Sequence, residues 1–158
     1  MSNQPTFMPK SSPGYKSKTL AAWIAFLGGG LGLHRFYLYG LRDVWGWLHP
    51  IPTLIGWWGV QRVQQYGQDD QLSWLLIPIL GLTLAGTMLM AIVYGLMPDE
   101  KWNARFNPNG PQHHTGWSTI FAVVLALMVG AGVLMATIAF GGQRFFEYQI
   151  EEARKMSQ

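Results

Sequence analysis

Chemistry in this sequence could come from four histidines, one arginine-containing turn and one charged loop. His34, His49, His113 and His114 are its soft nitrogen donors, and with no cysteine there is no thiolate ligand, disulfide or thiol nucleophile. His113 and His114 are adjacent, so they lack the four-residue spacing that puts two metal ligands on one helix face. They read as polar loop residues, and neither a metal nor another cofactor is expected. In His34-Arg35-Phe36-Tyr37 a guanidinium is flanked by an imidazole and two aromatic rings, with Asp43 eight residues on. A planar five-donor fork suits phosphate oxygens, exposed helix carbonyls or a carboxylate. The expected work is therefore anchoring, either by an Arg35–Asp43 pair that pins the turn or by contact with lipid or a partner. Asp99–Phe106 is the only densely charged loop and reads as a solvated segment with two interfacial aromatics, Trp102 and Phe106. No Ser-His-Asp, paired-carboxylate or His-rich arrangement stands at the end of an apolar segment, so an enzyme is not expected. Gly28-Gly29-Gly30-Leu31-Gly32 is no dinucleotide loop, because no strand precedes it and its glycine spacing fails.

The elements that must position these groups follow from the charge distribution. Only 12% of the 158 residues are Asp, Glu, Lys or Arg, against about 25% in an average soluble protein. Four stretches carry none: 19–34, 44–61, 71–98 and 106–143. A water-facing surface cannot be built from that pattern, so the expected class is an all-α integral membrane protein with about four transmembrane helices in two hairpins. Residues 1–18, with three prolines, read as a disordered polar tail. A two-helix membrane domain is expected over 19–63, a loop over 64–71, a second transmembrane hairpin over 72–141 with a polar loop at 98–116, and an amphipathic helical tail over 142–158. The first apolar segment, 19–33, spans only about 22 Å, short of the roughly 30 Å of a hydrocarbon core; snorkelling of Lys16, Lys18 and Arg35 is expected to recover part of the deficit. The second, 44–60, is expected to be kinked by Pro50 and Pro52, with a re-entrant or interfacial course as its rival.

Small residues mark the expected packing faces. Gly28 and Gly32 form a GxxxG pair, Gly81 and Ala85 stand four apart, and Ala122, Ala126 and Gly130 repeat every four residues, a seam for close helix approach. Arg35-Phe36-Tyr37-x-Tyr39 is echoed by Arg144-Phe145-Phe146-x-Tyr148, read as aromatic anchoring at span ends. With four spans, seven Lys and Arg fall on the side of the termini and four on the other, so both termini are expected to be cytoplasmic in a bacterial-type inner membrane.

One stretch carries a resemblance. An apolar helix ending in glycines, then His34-Arg35-Phe36-Tyr37-Leu38-x-Gly40, then a second apolar segment with Gly56-Trp57-Trp58, resembles the two-transmembrane-helix ("TM-two") domain family over about residues 16–63. That family's acid after the Trp of the second helix is replaced here by Gln61. The resemblance implies a pair of helices joined by a short loop, and it implies no activity.

The functional expectation is a non-enzymatic multi-pass membrane protein with structural, assembly or partner-binding work. Its partners would be the lipid bilayer and a membrane protein or a second copy of the chain, with no nucleic acid: the basic residues sit singly beside apolar runs, where topology explains them. The alternative is a small channel or transporter subunit, favoured by the proline-broken second segment.

Overall fold

The computed structural model describes residues 14–157. Among the described residues every regular element is helical: α1 (Lys18–Gly28), a 3-10 turn (Gly29–Leu31), α2 (Leu33–Tyr39), α3 (Val44–Leu48), α4 (Pro50–Tyr66), α5 (Gln71–Leu96), α6 (Asp99–Phe106) and α7 (Trp117–Met156). Two of them, α5 and α7, are long and apolar enough to cross a membrane. At 1.5 Å per residue their 26 and 40 residues reach about 39 and 60 Å. Asp70 caps α5 by accepting the Ser73 N–H at 3.2 Å, and the helix continues through Pro78.

The neighbours of α5 give the register of everything else. Beside its C-terminus lies the start of α1, where Lys18 Nζ donates to Met97 O at 2.8 Å. Gly29 then lies against Thr87, and Gly30 against Leu84 and Thr53. Leu84 is at the middle of α5, so α1 descends half the length of α5 and stops. Gly32 reverses the chain in the left-handed region, φ 73°, where glycine carries no Cβ penalty. From there α2 climbs back, until Tyr37 Oη accepts the Ser17 N–H at 2.7 Å. The first apolar segment is thus the outward limb of a helical hairpin whose return is α2: after about 22 Å of helix the glycines turn the chain beside the middle of α5.

The second segment does run the length of α5. Only His49 interrupts the helix between α3 and α4, and Pro50 takes the first position of α4, where its missing N–H costs no helical bond. Gly56 and Gly59 of α4 lie against Leu80 and Leu76 of α5. Antiparallel to α5 on another side, α7 sets Gly130 against Met88 and Val123 against Gly95, with Arg144 over the Trp74 ring at 5.2 Å. The described N-terminal residues and the end of α7 therefore stand at opposite ends of the bundle.

Alanines make the innermost contacts: Ala21, Ala22 and Ala25 of α1, Ala91 of α5, and Ala122 and Ala126 of α7 are all fully buried. Gly130 is buried on the same face of α7, Gly81 meets Thr137, and Ala85 is half-buried. Gly28 and Gly32 do not share a helix face. Gly28 ends α1 and lies under Leu33, whereas Gly32 sits beyond the 3-10 turn against the Gly46 carbonyl. The opposite faces are apolar and exposed, with Leu75, Leu82, Leu89 and Leu96 on α5 and Leu127, Met128, Met135 and Ile138 on α7.

Boundaries also differ from the expectation at two places, and the helical tail is as expected in kind. Residues 14–18 are held in place, with Lys16 N donating to Asn107 Oδ1 at 2.8 Å, while 1–13 lie outside the described residues. The loop expected at 64–71 shrinks to a turn, because α4 extends to Tyr66. The tail over 142–156 is a continuation of α7.

Gly32→Ala should destabilise the protein by about 1–3 kcal/mol, combining left-handed strain with a clash into Gly46 O. Gly132→Ala, in open space on α7, should be neutral or slightly stabilising; thermal unfolding in one detergent compares the two. Equal melting temperatures would show that the reversal at Gly32 is not formed.

Candidate functional site

The hairpin end of the bundle gathers most of the polar side chains with long-range partners, and Arg35 is central to it. Its Nε donates to Asp43 Oδ2 at 2.5 Å and its Nη2 to Asp43 Oδ1 at 3.1 Å, a two-pronged pair. Asp43 Oδ2 also accepts the Gly46 N–H at 3.2 Å and so caps α3. Arg35 lies over the Tyr39 ring at 5.0 Å, and Tyr39 Oη accepts from Arg105 at 3.0 Å. The bonds from Arg35 hold the Asp43 carboxyl below the usual carboxylate range.

The three neighbours of Arg35 in the motif point to three different elements. His34 is 1% exposed; its ring is 5.3 Å from that of His49 and 5.8 Å from that of Tyr94, and its Nδ1 has no partner. The Phe36 ring lies over Gly46, where a Cβ would collide with it, and 5.1 Å from the Trp47 indole. Tyr37 O accepts from Lys16 Nζ at 2.6 Å. His49 Nδ1 donates to Trp45 O at 2.7 Å, and His49 lines a groove of about 340 Å³ with Trp45, Pro52, Thr83 and Thr87. His113 and His114 are not brought to this pair. His113 bonds Tyr15 Oη through Nδ1 at 2.7 Å, and His114 is exposed.

A second cluster roofs the hairpin. Lys18 is 2% exposed and pairs with Asp99, which also accepts from Thr115 N at 2.8 Å and Thr115 Oγ1 at 2.5 Å. Burial works against the Asp99 carboxylate, but the bonds from Lys18 and Thr115 outweigh it and keep the acid well below its ordinary pKa. Trp102, expected on a solvated loop, is fully buried with its ring 4.5 Å from Phe106, and its Nε1 donates to Lys16 O at 2.9 Å. Asn103 and Asn107 complete the roof, Asn103 Oδ1 accepting His113 N at 2.7 Å. The loop became ordered because α6 puts its aromatic face toward Tyr94 and its charged face outward.

The opposite end repeats the Arg35 corner. Arg62 donates to both Asp70 oxygens at 2.8 and 2.7 Å, Asp70 caps α5, and Arg62 lies over Tyr66 at 4.8 Å. Gly40 and Gly67 both have positive φ and donate N–H to the carbonyl four residues back at 2.9 Å. Trp47 Nε1 donates to Leu41 O at 2.9 Å, and Trp74 Nε1 to Gln68 O at 2.8 Å. The sequence signal is Arg-x3-Tyr-Gly-x2-Asp-x3-Trp, at Arg35, Tyr39, Gly40, Asp43, Trp47 and again at Arg62, Tyr66, Gly67, Asp70, Trp74. It is stronger than the echo between Arg35 and Arg144, and it identifies Arg62 and Asp70, which sequence reasoning missed. No protein-family profile, curated protein or solved structure matches this chain.

Arg35→Ala should lower the melting temperature more than Arg35→Lys. The swap Arg35→Asp with Asp43→Arg should recover only part of the loss, because an arginine cannot cap α3. A swap no better than Arg35→Asp alone would deny the pair a stabilising role. Asp99→Asn, which strips the buried Lys18 of its counter-charge, should cost about 3 kcal/mol. Asp43 and Asp99 are both depressed, so their contribution is complete above the unfolded carboxyl pKa of about 3.9 and is lost as pH falls through their folded values. Melting temperature against pH should therefore drop below about pH 4, and less steeply in Asp99→Asn.

Proposed function

We propose that the chain is a multi-pass integral membrane protein of a bacterial-type inner membrane whose work is structural, in assembly or partner binding, rather than catalytic. It crosses three times, through α3–α4, α5 and α7, and the α1–α2 hairpin enters and leaves by one side. The observation that carries the reading is the division of side chains. Outward faces of α5 and α7 are apolar, largely leucine and methionine, whereas the inward polar groups of the hairpin end are spent on one another: Arg35 on Asp43, Lys18 on Asp99, Asn103 on His113 N. Such groups hold a shape, and lipid is the solvent that tolerates those faces. The resemblance of His34–Gly40 and Gly56-Trp57-Trp58 to the TM-two family supports a membrane unit over about residues 16–63, made in this reading of the hairpin and one crossing.

A channel or transporter subunit is the second reading. It is favoured by the reversal at half depth beside the His49 groove, since interrupted helices expose backbone where ions can bind. Two measurements separate the readings. The chain should stay in the membrane pellet after alkaline carbonate washing, and release would end both. Vesicles reconstituted with it should show no ion or proton flux above empty vesicles; flux that His49→Ala abolishes would establish the transport reading instead.

A further inference from the structure

The two ends of the bundle differ in the charges they leave uncommitted. Among the described residues the hairpin end holds six bases (Lys16, Lys18, Arg35, Arg42, Lys101, Arg105) and three acids (Asp43, Asp99, Glu100), a formal +3. The opposite end holds four bases and five acids, −1. Internal pairing sharpens the contrast. At the hairpin end Asp43 and Asp99 are taken by Arg35 and Lys18, so Arg42, Lys101 and Arg105 are exposed with no carboxylate partner, and Glu100 is the one acid left over. At the opposite end Arg62, Arg144 and Lys155 each pair with an acid, leaving Arg154 against Asp69 and Glu151.

Geometry places the three free bases together on one rim. Lys101 and Arg105 stand four residues apart on α6, whose Trp102 and Asn103 point inward, so both face outward on one side. Arg105 is tied to Tyr39 Oη at 3.0 Å, and Arg42 follows Tyr39 by three residues in the loop before α3. Exposed Tyr39, Trp45 and Trp47 stand at the same end, side chains suited to the headgroup level of a bilayer.

We propose that this rim is a docking surface for the phosphates of anionic phospholipids, with Arg42, Lys101 and Arg105 as the contacting residues, and that the hairpin end consequently faces the cytoplasm while the end of α7 faces outward. The inference rests on the membrane reading above. Guanidinium and ammonium groups at headgroup level meet phosphate oxygens directly, and the anionic surface of the cytoplasmic leaflet attracts bases there. An excess of Lys and Arg also keeps a flanking loop from crossing during insertion.

The test uses the full chain purified in neutral detergent. Added phosphatidylglycerol should raise its melting temperature by several degrees more than phosphatidylcholine, and about 0.5 M NaCl should remove most of the difference. The triple variant Arg42→Gln, Lys101→Gln, Arg105→Gln should lose the difference while eluting normally in gel filtration, and Arg154→Gln should keep it. Equal responses to the two lipids, or a triple variant that still distinguishes them, would overturn the proposal. So would an equal shift from soluble glycerol phosphate, which would assign the rim to free phosphate. Orientation is read separately, because a chain without cysteine accepts single-cysteine probes. An impermeant maleimide applied to intact cells should label Gln149→Cys and not Gly110→Cys, and the reverse pattern would overturn the orientation. Release of the protein by alkaline carbonate would instead overturn the membrane reading.

Discussion

A helix that stops halfway down the bundle must satisfy its backbone there, and the rest of the hairpin end is arranged around that demand. In the proposed bilayer setting no water reaches that level, and each unsatisfied N–H or C=O there costs several kcal/mol. The reversal meets the demand locally. Gly32 N donates to Gly29 O at 2.8 Å, and Arg35 N to Gly32 O at 3.0 Å. Thr53 of α4 reaches across to give its hydroxyl to Gly30 O at 2.6 Å. The left-handed Gly32 and its contact with Gly46 O make these bonds geometrically possible. Without them the hairpin could not close, and Ala21, Ala22 and Ala25, now fully buried, would lose their place in the bundle.

Closing the hairpin then requires its open end to be held, and polar groups do that work. Two apolar helices of eleven and seven residues bury too little to stay paired through packing alone. Lys16 and Ser17 bond Tyr37 across the open end, Arg35 and Asp43 fix the next corner, and Trp102 covers the start of α1. The identical corner at Arg62–Asp70 shows what that device is for. In both places an arginine near the end of one helix fixes the acid that caps the next, so one carboxylate orients two helices. It is a way of turning between helices without a long loop.

The sequence carried some of this plainly. Charge-free stretches located the long helices α5 and α7, and the acid eight residues beyond Arg35 was recognisable as its candidate partner. The shortness of segment 19–33 was also visible, but arithmetic alone could not choose between a snorkelling span and a reversal. That choice depends on Gly32 adopting positive φ against a neighbour, Gly46, which only the fold supplies. The burial of Trp102 and Lys18 was hidden for a related reason: both belong to segments that are polar in composition, and their enclosure comes from contacts between residues some eighty positions apart, such as Lys18 with Asp99 and Trp102 with Lys16. The repeated corner was legible but needed the comparison of Arg35 with Arg62, not with Arg144.

Counting crossings decides what the charge rule says. With four spans, Arg35, Arg42, Lys101 and Arg105 form the minority side and Arg62 joins the N-terminal lysines, which places both termini inside. Once the first segment returns to its own side, the same rule gives a different partition. Arg35, Arg42, Lys101 and Arg105 join Lys16 and Lys18, and the four bases of the opposite end become the minority. Both partitions carry an excess of similar size, so the excess alone selects neither. What separates them is whether α1 travels the length of α5, and the contacts of Gly29 with Thr87 and of Gly30 with Leu84 put its tip at the middle. In the proposed three-crossing arrangement, topology is therefore set by a glycine turn first and by lysines and arginines second.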